Sequence, residues 1–291
     1  MPPPSPPPAT PGIRIERRSN PGGVNIKGKE YAIAWLSSEP VNSMTLTLWR
    51  SLLATLDYLE NDATIRGVVF ASDLRKPIFT AGNDINELHA PSTSATRYAE
   101  FWKTQTTFLC RLLRSPLATV CAIRGACPAG GCAVSLCCDY RAQTTHGTFG
   151  LNEVALGIPV PKFWARLFVE SATSRADATL ALLRGALLSP AEAKGIGLIH
   201  ELAASDAALL PTAERALATL LKLPDDARAA TKANVVRAFS EEWEAYIAEE
   251  ARGGWAMLNE PAIETAMGNV IERLSSGKGK GEKKPNPRAK M

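Results

Sequence analysis

Arg124-Gly125-Ala126-Cys127-Pro128-Ala129-Gly130-Gly131-Cys132-Ala133 places two adjacent glycines at the start of an apolar helix, and Gly150-Leu151-Asn152-Glu153 follows with a single acid. A backbone amide approaches a ligand oxygen closely only where no Cβ intervenes, and a helix start leaves its first amides unpaired and partly positive. The pair therefore reads as half of an oxyanion hole. It also reads as a packing device, because Cys132, Ala133, Val134, Leu136, Cys137 and Cys138 make the helix apolar nearly all round.

A second glycine-bearing turn favours the chemical reading. Phe79-Thr80-Ala81-Gly82-Asn83-Asp84-Ile85-Asn86-Glu87 follows the strand-like run Gly67-Val68-Val69-Phe70-Ala71, so two strand-to-loop turns are available to supply two amide donors. In these residues the chain resembles the crotonase (enoyl-CoA hydratase/isomerase) superfamily. That family's pattern of phenylalanine, a small residue, Ala-Gly, any residue, then Asp and an aliphatic is met by Phe79 to Ile85. Within it, the Gly125 to Cys132 stretch followed by Gly-Leu-Asn-Glu is similar to the mitochondrial-type Δ3,Δ2-enoyl-CoA isomerases. The resemblance spans about Tyr31 to Leu202.

Periodicity agrees with an α/β chain. Tyr31 to Leu36 is a strand candidate; Leu46, Trp49, Leu52, Leu53, Leu56 and Leu59 recur at helical spacing before the strand opened by Gly67. A helix carrying Tyr98, Phe101, Trp102, Phe108, Leu109 and Leu112 leads to the strand Leu117 to Ile123, and the Gly130 helix leads to a short strand, Tyr140 to Ala142. The resemblance implies a crotonase-like ββα spiral core over residues 13–202. A C-terminal helical region, 203–274, would cover the acyl pocket and build oligomer contacts. Its helices comprise Leu209 to Leu223, a segment after Pro224, and a longer run through Trp243, Tyr246, Trp255, Met257 and Ile271, whose Trp and Met read as packing residues.

The ends differ. Residues 1–12 are proline-rich without apolar periodicity and read as a disordered leader, lacking the Arg-rich amphipathic character of a transit peptide and the apolar core of a secretory signal. Residues 275–291 read as a flexible basic tail ending in Ala289-Lys290-Met291, a variant of the Ser-Lys-Leu address of the peroxisomal import receptor. This points to a peroxisome-like organelle, glycosomes included, with the mitochondrial matrix as the alternative.

Composition is that of an ordinary globular protein: 291 residues, 45% hydrophobic, net charge +4, with no apolar run long enough to span a membrane. The positive excess sits mostly in the tail and gives little support to nucleic-acid binding. Cysteines 110, 121, 127, 132, 137 and 138 read as free buried thiols; with His89, His146 and His200 scattered, no metal-ligand spacing is present.

The resemblance implies a cofactor-free enzyme acting on acyl-CoA thioesters, coenzyme A being part of the substrate. Glu153 takes the catalytic position, with the backbone amides of Asn83 and Gly130 as the oxyanion hole. Substrate contacts fall to Ala81, Gly82, Asn83, Asp84, Ile85, Pro128, Ala129, Gly130, Phe163 and Trp164. Asp84 also reads as a residue fixing its own loop, and Arg75, Lys76 and Lys103 as surface charges unassigned to the CoA phosphates. Glu153 would carry a proton from C2 of a 3-enoyl-CoA to C4, giving the 2-trans isomer, a step of unsaturated fatty-acid β-oxidation. Hydratases of the family carry a second glutamate where this chain has Ala133, which favours proton shuttling over water addition. Homotrimers, with pairing to hexamers, are the implied assembly. Two other readings stand beside this one: a hydratase or other crotonase, and a non-catalytic RNA-binding or scaffold protein on the same fold.

Overall fold

The computed structural model describes residues 10–26 and 28–278. One six-stranded sheet organises the chain, with strands adjacent in sequence order. They are β1 (Ile13–Ser19), β2 (Glu30–Leu36), β3 (Ile65–Ser72), β4 (Ala118–Pro128), β5 (Tyr140–Gly150) and β6 (Glu201–Ala203). The first pair is antiparallel and every later pair parallel. Parallel strands need crossovers, here α1 (Leu46–Asn61) between β2 and β3 and α2 (Ala95–Arg114) between β3 and β4. Thr45 and Ser94 start these helices, their side-chain oxygens accepting from Leu48 N at 3.2 Å and Arg97 N at 3.2 Å.

Both sheet faces are covered, which is why the strands read as near-continuous apolar runs. Ala32, Ala34, Val68 and Phe70 join the larger core with α1 and α2, whereas Tyr31, Ile33, Val69 and Val120 pack against α7 (Asp206–Leu221). Gly67 permits this second contact: a Cβ there would lie 2.7 Å from Leu217 Cδ1.

Two elements depart from the sequence expectation. The strand after the glycine helix, α3 (Gly130–Leu136), does not stop at Ala142 but runs to Gly150, its second half pairing with Gly125 to Pro128 across a register shift. Its polar residues hide the pattern; Gln143 and Thr144 are fully buried, and Gln143 Nε2 donates to Gly125 O. Only glycine fits at the crossing, because a Cβ on Gly147 would lie 2.1 Å from Gly125 O and one on Gly125 1.7 Å from Pro77 O. The C-terminal region resolves into α8 (Asp225–Leu258) and α9 (Pro261–Lys278), so the segment after Pro224 and the first part of the longer run form one helix, with Pro261 opening the next.

Helix α9 extends to Lys278, past the tail boundary placed at Ser275, with the Ser275 hydroxyl donating to Ile271 O at 2.9 Å. The rest of the tail, with Ala289-Lys290-Met291, and the leader through residue 9 lie outside the described residues. Among the described residues no helix is long and apolar enough to cross a membrane. All six cysteines are free and buried, and burial pushes the thiols of Cys127 and Cys132 well above their ordinary value.

Candidate active site

The two glycine turns meet at the C-terminal ends of β3 and β4. The first is pinned by Met44, whose amide donates to Gly82 O at 2.9 Å and whose carbonyl accepts from Asp84 N at 3.2 Å. Gly82 sits at φ +84°, and a Cβ on it would approach Ala129 Cβ to 3.0 Å and Pro128 O to 3.2 Å. Ala129 itself has a positive φ, at φ 49° and ψ −120°. A non-glycine residue held there is strained, and the strain turns the peptide that carries the Gly130 amide. Among the described residues neither Asn83 N nor Gly130 N donates to a carbonyl of the chain.

Gly130 and Gly131 divide the two readings of the glycine pair between them. A methyl on Gly131 would lie 2.1 Å from Thr80 Cγ2, so that glycine serves packing. At Gly130 a Cβ would lie 2.8 Å from Asn83 Oδ1, inside the gap between the turns. The Asn83 side chain is built in: Oδ1 accepts from Trp49 Nε1 at 3.2 Å, and Nδ2 donates to Gln105 Oε1 at 3.0 Å. That amide bridge ties the first turn to α1 and α2 at once.

Glu153 arrives by a different route. Strand β5 ends at Gly150, whose carbonyl accepts from Ala129 N at 2.9 Å, and a 3-10 turn, Glu153–Leu156, begins directly after it and closes on Gly157 at φ +86°. Glu153 is 5% exposed, and neither carboxyl oxygen has a hydrogen-bond partner on another residue. Burial pushes its pKa up to about 7, against a hydrogen bond from its own amide that lowers it.

Glu153 and Asn83 line one cavity of about 690 Å³. Of the residues singled out from sequence, Ala81, Asn83, Ile85, Pro128, Ala129, Glu153 and Trp164 stand on its wall. Gly82 and Gly130 are buried beside these wall residues, and Asp84 turns back to accept from Asn86 N at 2.9 Å. Phe163, expected on the wall beside Trp164, is instead fully buried, stacked on Trp243 at 5.7 Å. The helix α4 (Lys162–Ser171) explains the split, since adjacent residues on a helix face different directions.

Several cavity residues read from sequence only as positions in helices, and Met257 as packing. Tyr98, Trp102, Tyr246 and Met257 all line it. Tyr98 stacks on Trp102 at 5.7 Å and Trp102 on Trp164 at 6.3 Å, giving an aromatic row suited to a hydrocarbon chain. The i, i+4 spacing of Tyr98 and Trp102 was the available signal. Glu250 on α8 gave none, yet it lines the cavity, with Oε2 accepting from Trp102 Nε1 at 3.0 Å, Oε1 buried without a partner, and its pKa raised by burial. Val270 and Leu274 of α9 complete the cover, so the chain roofs its own cavity.

Known proteins share this arrangement. The chain matches the enoyl-CoA hydratase/isomerase family model over residues 32–276. It is 35% identical to human mitochondrial enoyl-CoA delta isomerase 1 over 254 residues, covering 87% of this chain and 82% of that protein. The mouse protein of the same name is 34% identical, with 85% of each chain covered. The crystal structure of human mitochondrial delta3-delta2-enoyl-CoA isomerase superposes with a TM-score of 0.84 at 33% identity, over 92% of this chain and 100% of that one. An enoyl-CoA hydratase from Bacillus halodurans, 21% identical with a TM-score of 0.75 over 89% of this chain and 99% of its own, shares the fold. With its glycine turns, buried Glu153 and family match over most of its length, the chain belongs to the enoyl-CoA hydratase/isomerase family.

Proposed function

We propose that the protein is a Δ3,Δ2-enoyl-CoA isomerase, converting 3-cis- or 3-trans-enoyl-CoA to the 2-trans isomer by proton transfer through Glu153. The observation that carries this reading is a buried carboxyl group with both oxygens unengaged by any other residue, on the wall of the cavity that Asn83 also lines. A proton α to a thioester carbonyl is weakly acidic, so its removal requires stabilisation of the enolate oxygen. The amides of Asn83 and Gly130, lacking acceptors on the chain, supply that stabilisation, each worth about 3 kcal/mol. The reacting carbons C2 and C4 lie on one face of a planar dienolate, so a single carboxyl group serves both. The aromatic row of Tyr98, Trp102 and Trp164 holds the acyl chain, and no cofactor enters the scheme beyond the CoA of the substrate.

Similarity to isomerases over most of the chain supports this assignment, as does the methyl group at Ala133. The names of the human and mouse relatives place those proteins in mitochondria, which favours the matrix over a peroxisome-like organelle. The assembly is proposed to be a homotrimer. A spectrophotometric assay with 3-cis-hexenoyl-CoA tests the function: appearance of the conjugated 2-enoyl thioester is expected, and no conversion at high enzyme concentration would end the proposal.

Glu250 favours a second reading, hydration of 2-enoyl-CoA, because it puts another carboxyl group on the same wall. Under that reading purified protein adds water to 2-trans-hexenoyl-CoA and Glu250→Gln abolishes the addition while sparing isomerisation.

A further inference from the structure

A second cavity, of about 600 Å³, lies between the end of α7, the first turns of α8 and the residues that follow α3. It shares no lining residue with the first. Part of its wall is hydrocarbon, from Leu113, Leu220, Leu223, Val235 and Val236. The rest is cationic. Arg141 is 5% exposed and spends its bonds on carbonyls, Nε donating to Leu198 O at 2.6 Å and Nη1 to Cys138 O at 3.0 Å and Ser135 O at 3.4 Å. Among the described residues no carboxylate pairs with it, and burial holds its pKa below the ordinary value.

Arg228, its side chain 9% exposed, donates from Nη2 to Pro116 O at 2.9 Å, while Nε and Nη1 are buried without acceptors. Its acidic neighbour Asp225, 3.5 Å away, also serves Lys29 at 3.0 Å and Arg66 at 3.5 Å. Lys232 stands 2.8 Å from Asp139, whose other oxygen accepts from Thr119 N at 2.8 Å. Among the described residues, Arg228 and Lys232 on the wall pair with Asp225 and Asp139, and Asp225 is shared with Lys29 and Arg66 outside it, while Arg141 has no ion pair. Buried donors without acceptors are costly, and an uncompensated guanidinium more so. An anion in the cavity offsets the second cost by setting a negative charge against this cationic wall.

We propose that this cavity is a binding site for a fatty-acid-type carboxylate, the anion seated among Arg141, Arg228 and Lys232 and the hydrocarbon against Leu113, Leu220 and Val236. A small inorganic anion leaves the apolar wall wet, and an alcohol of the same length brings no charge to the cationic wall; the carboxylate amphiphile meets both. Helix α8 carries residues of both cavities, Arg228 and Lys232 in this one and Glu250 and Met257 in the first, so occupancy steadies the helix that helps cover the acyl chain.

Isothermal titration of the full chain with octanoate, octanol and acetate tests the site. Octanoate is expected to bind about tenfold more tightly than either control, and Arg228→Met to weaken it about tenfold. Val235 is 77% exposed, so replacing it removes no core packing. Val235→Glu should weaken octanoate about threefold and Val235→Lys strengthen it, both with unchanged isomerase rates. The Val235 pair localises binding independently of any activity in the first cavity. Equal affinity for octanoate and octanol, or octanoate binding indifferent to all three variants, would overturn the proposal. So would absence of octanoate binding; altered sedimentation of Arg228→Met beside it would assign the cations to a carboxylate of a second copy of the chain.

Discussion

Replacing Glu153 by Gln should inactivate the enzyme and stabilise the protein in the same step. Burial raises the carboxyl pKa from its ordinary 4.5 to about 7. In that window the folded chain binds more protons than the unfolded one, so stability falls as pH rises from 4.5 to 7 and stays lower above it. The rise in pKa corresponds to about 3 kcal/mol. Glutamine keeps the shape and removes the ionisation, so the variant should unfold several degrees higher than the parent at pH 8, and at about the same temperature at pH 4.5. Activity runs the other way. The ionised form is the base, so kcat/KM of the parent should climb about tenfold between pH 6 and pH 8 and level off, with an apparent pKa near 7. Glu153→Gln should lose between about a hundredfold and ten-thousandfold of that rate. Thermal unfolding and initial rates with 3-cis-hexenoyl-CoA across pH 5 to 8.5 measure both. A flat rate profile, or a variant no more stable than the parent at pH 8, would refute the reasoning that a desolvated Glu153 is the base.

Three further outcomes follow from the same geometry. Asn83→Leu keeps the donor amide but removes the bonds to Trp49 and Gln105, so kcat should fall about tenfold with KM within about twofold, read from saturation curves. Gly131→Ala forces a methyl to within 2.1 Å of Thr80 Cγ2 and should cost about 1–3 kcal/mol in denaturant unfolding. Ala133→Glu restores the second acid of the hydratases and should raise hydration of 2-trans-hexenoyl-CoA, followed as loss of enoyl absorbance, while no gain would remove the one-acid argument.

The parts of this molecule legible in sequence are those fixed by short-range rules. Glycine turns need particular dihedrals, strands buried on both faces need continuous apolar runs, and capped amphipathic helices announce themselves by spacing, so β2, β3, α1 and α2 were readable. The extension of β5 was not, because Gln143 and Thr144 are buried by hydrogen bonds rather than by apolar character. The wall of the cavity was only half legible. Phe163 and Trp164 differ by a single position, and which of them faces the cavity depends on where α4 begins and on Trp243, far away in sequence. Glu250 depended on α8 crossing Trp102, a tertiary fact with no local trace.

The unmatched acid and the glycine turns make sense only together. A carboxyl group with no partner on any other residue destabilises the chain once ionised, and Ala129 holds a positive-φ conformation that alanine disfavours. Both strains fall within one stretch, joined by the bond from Ala129 N to Gly150 O. A chain selected only for stability would place glycine at position 129 and a neutral side chain at 153. The surrounding core offsets these costs: Phe149 and Leu151, just before Glu153 in the chain, are buried, and Glu153 itself is 5% exposed. The apolar shell that makes Glu153 costly is therefore what makes it a base of pKa near 7: a hydrogen-bond donor placed beside it would stabilise the fold and lower the basicity on which proton transfer depends.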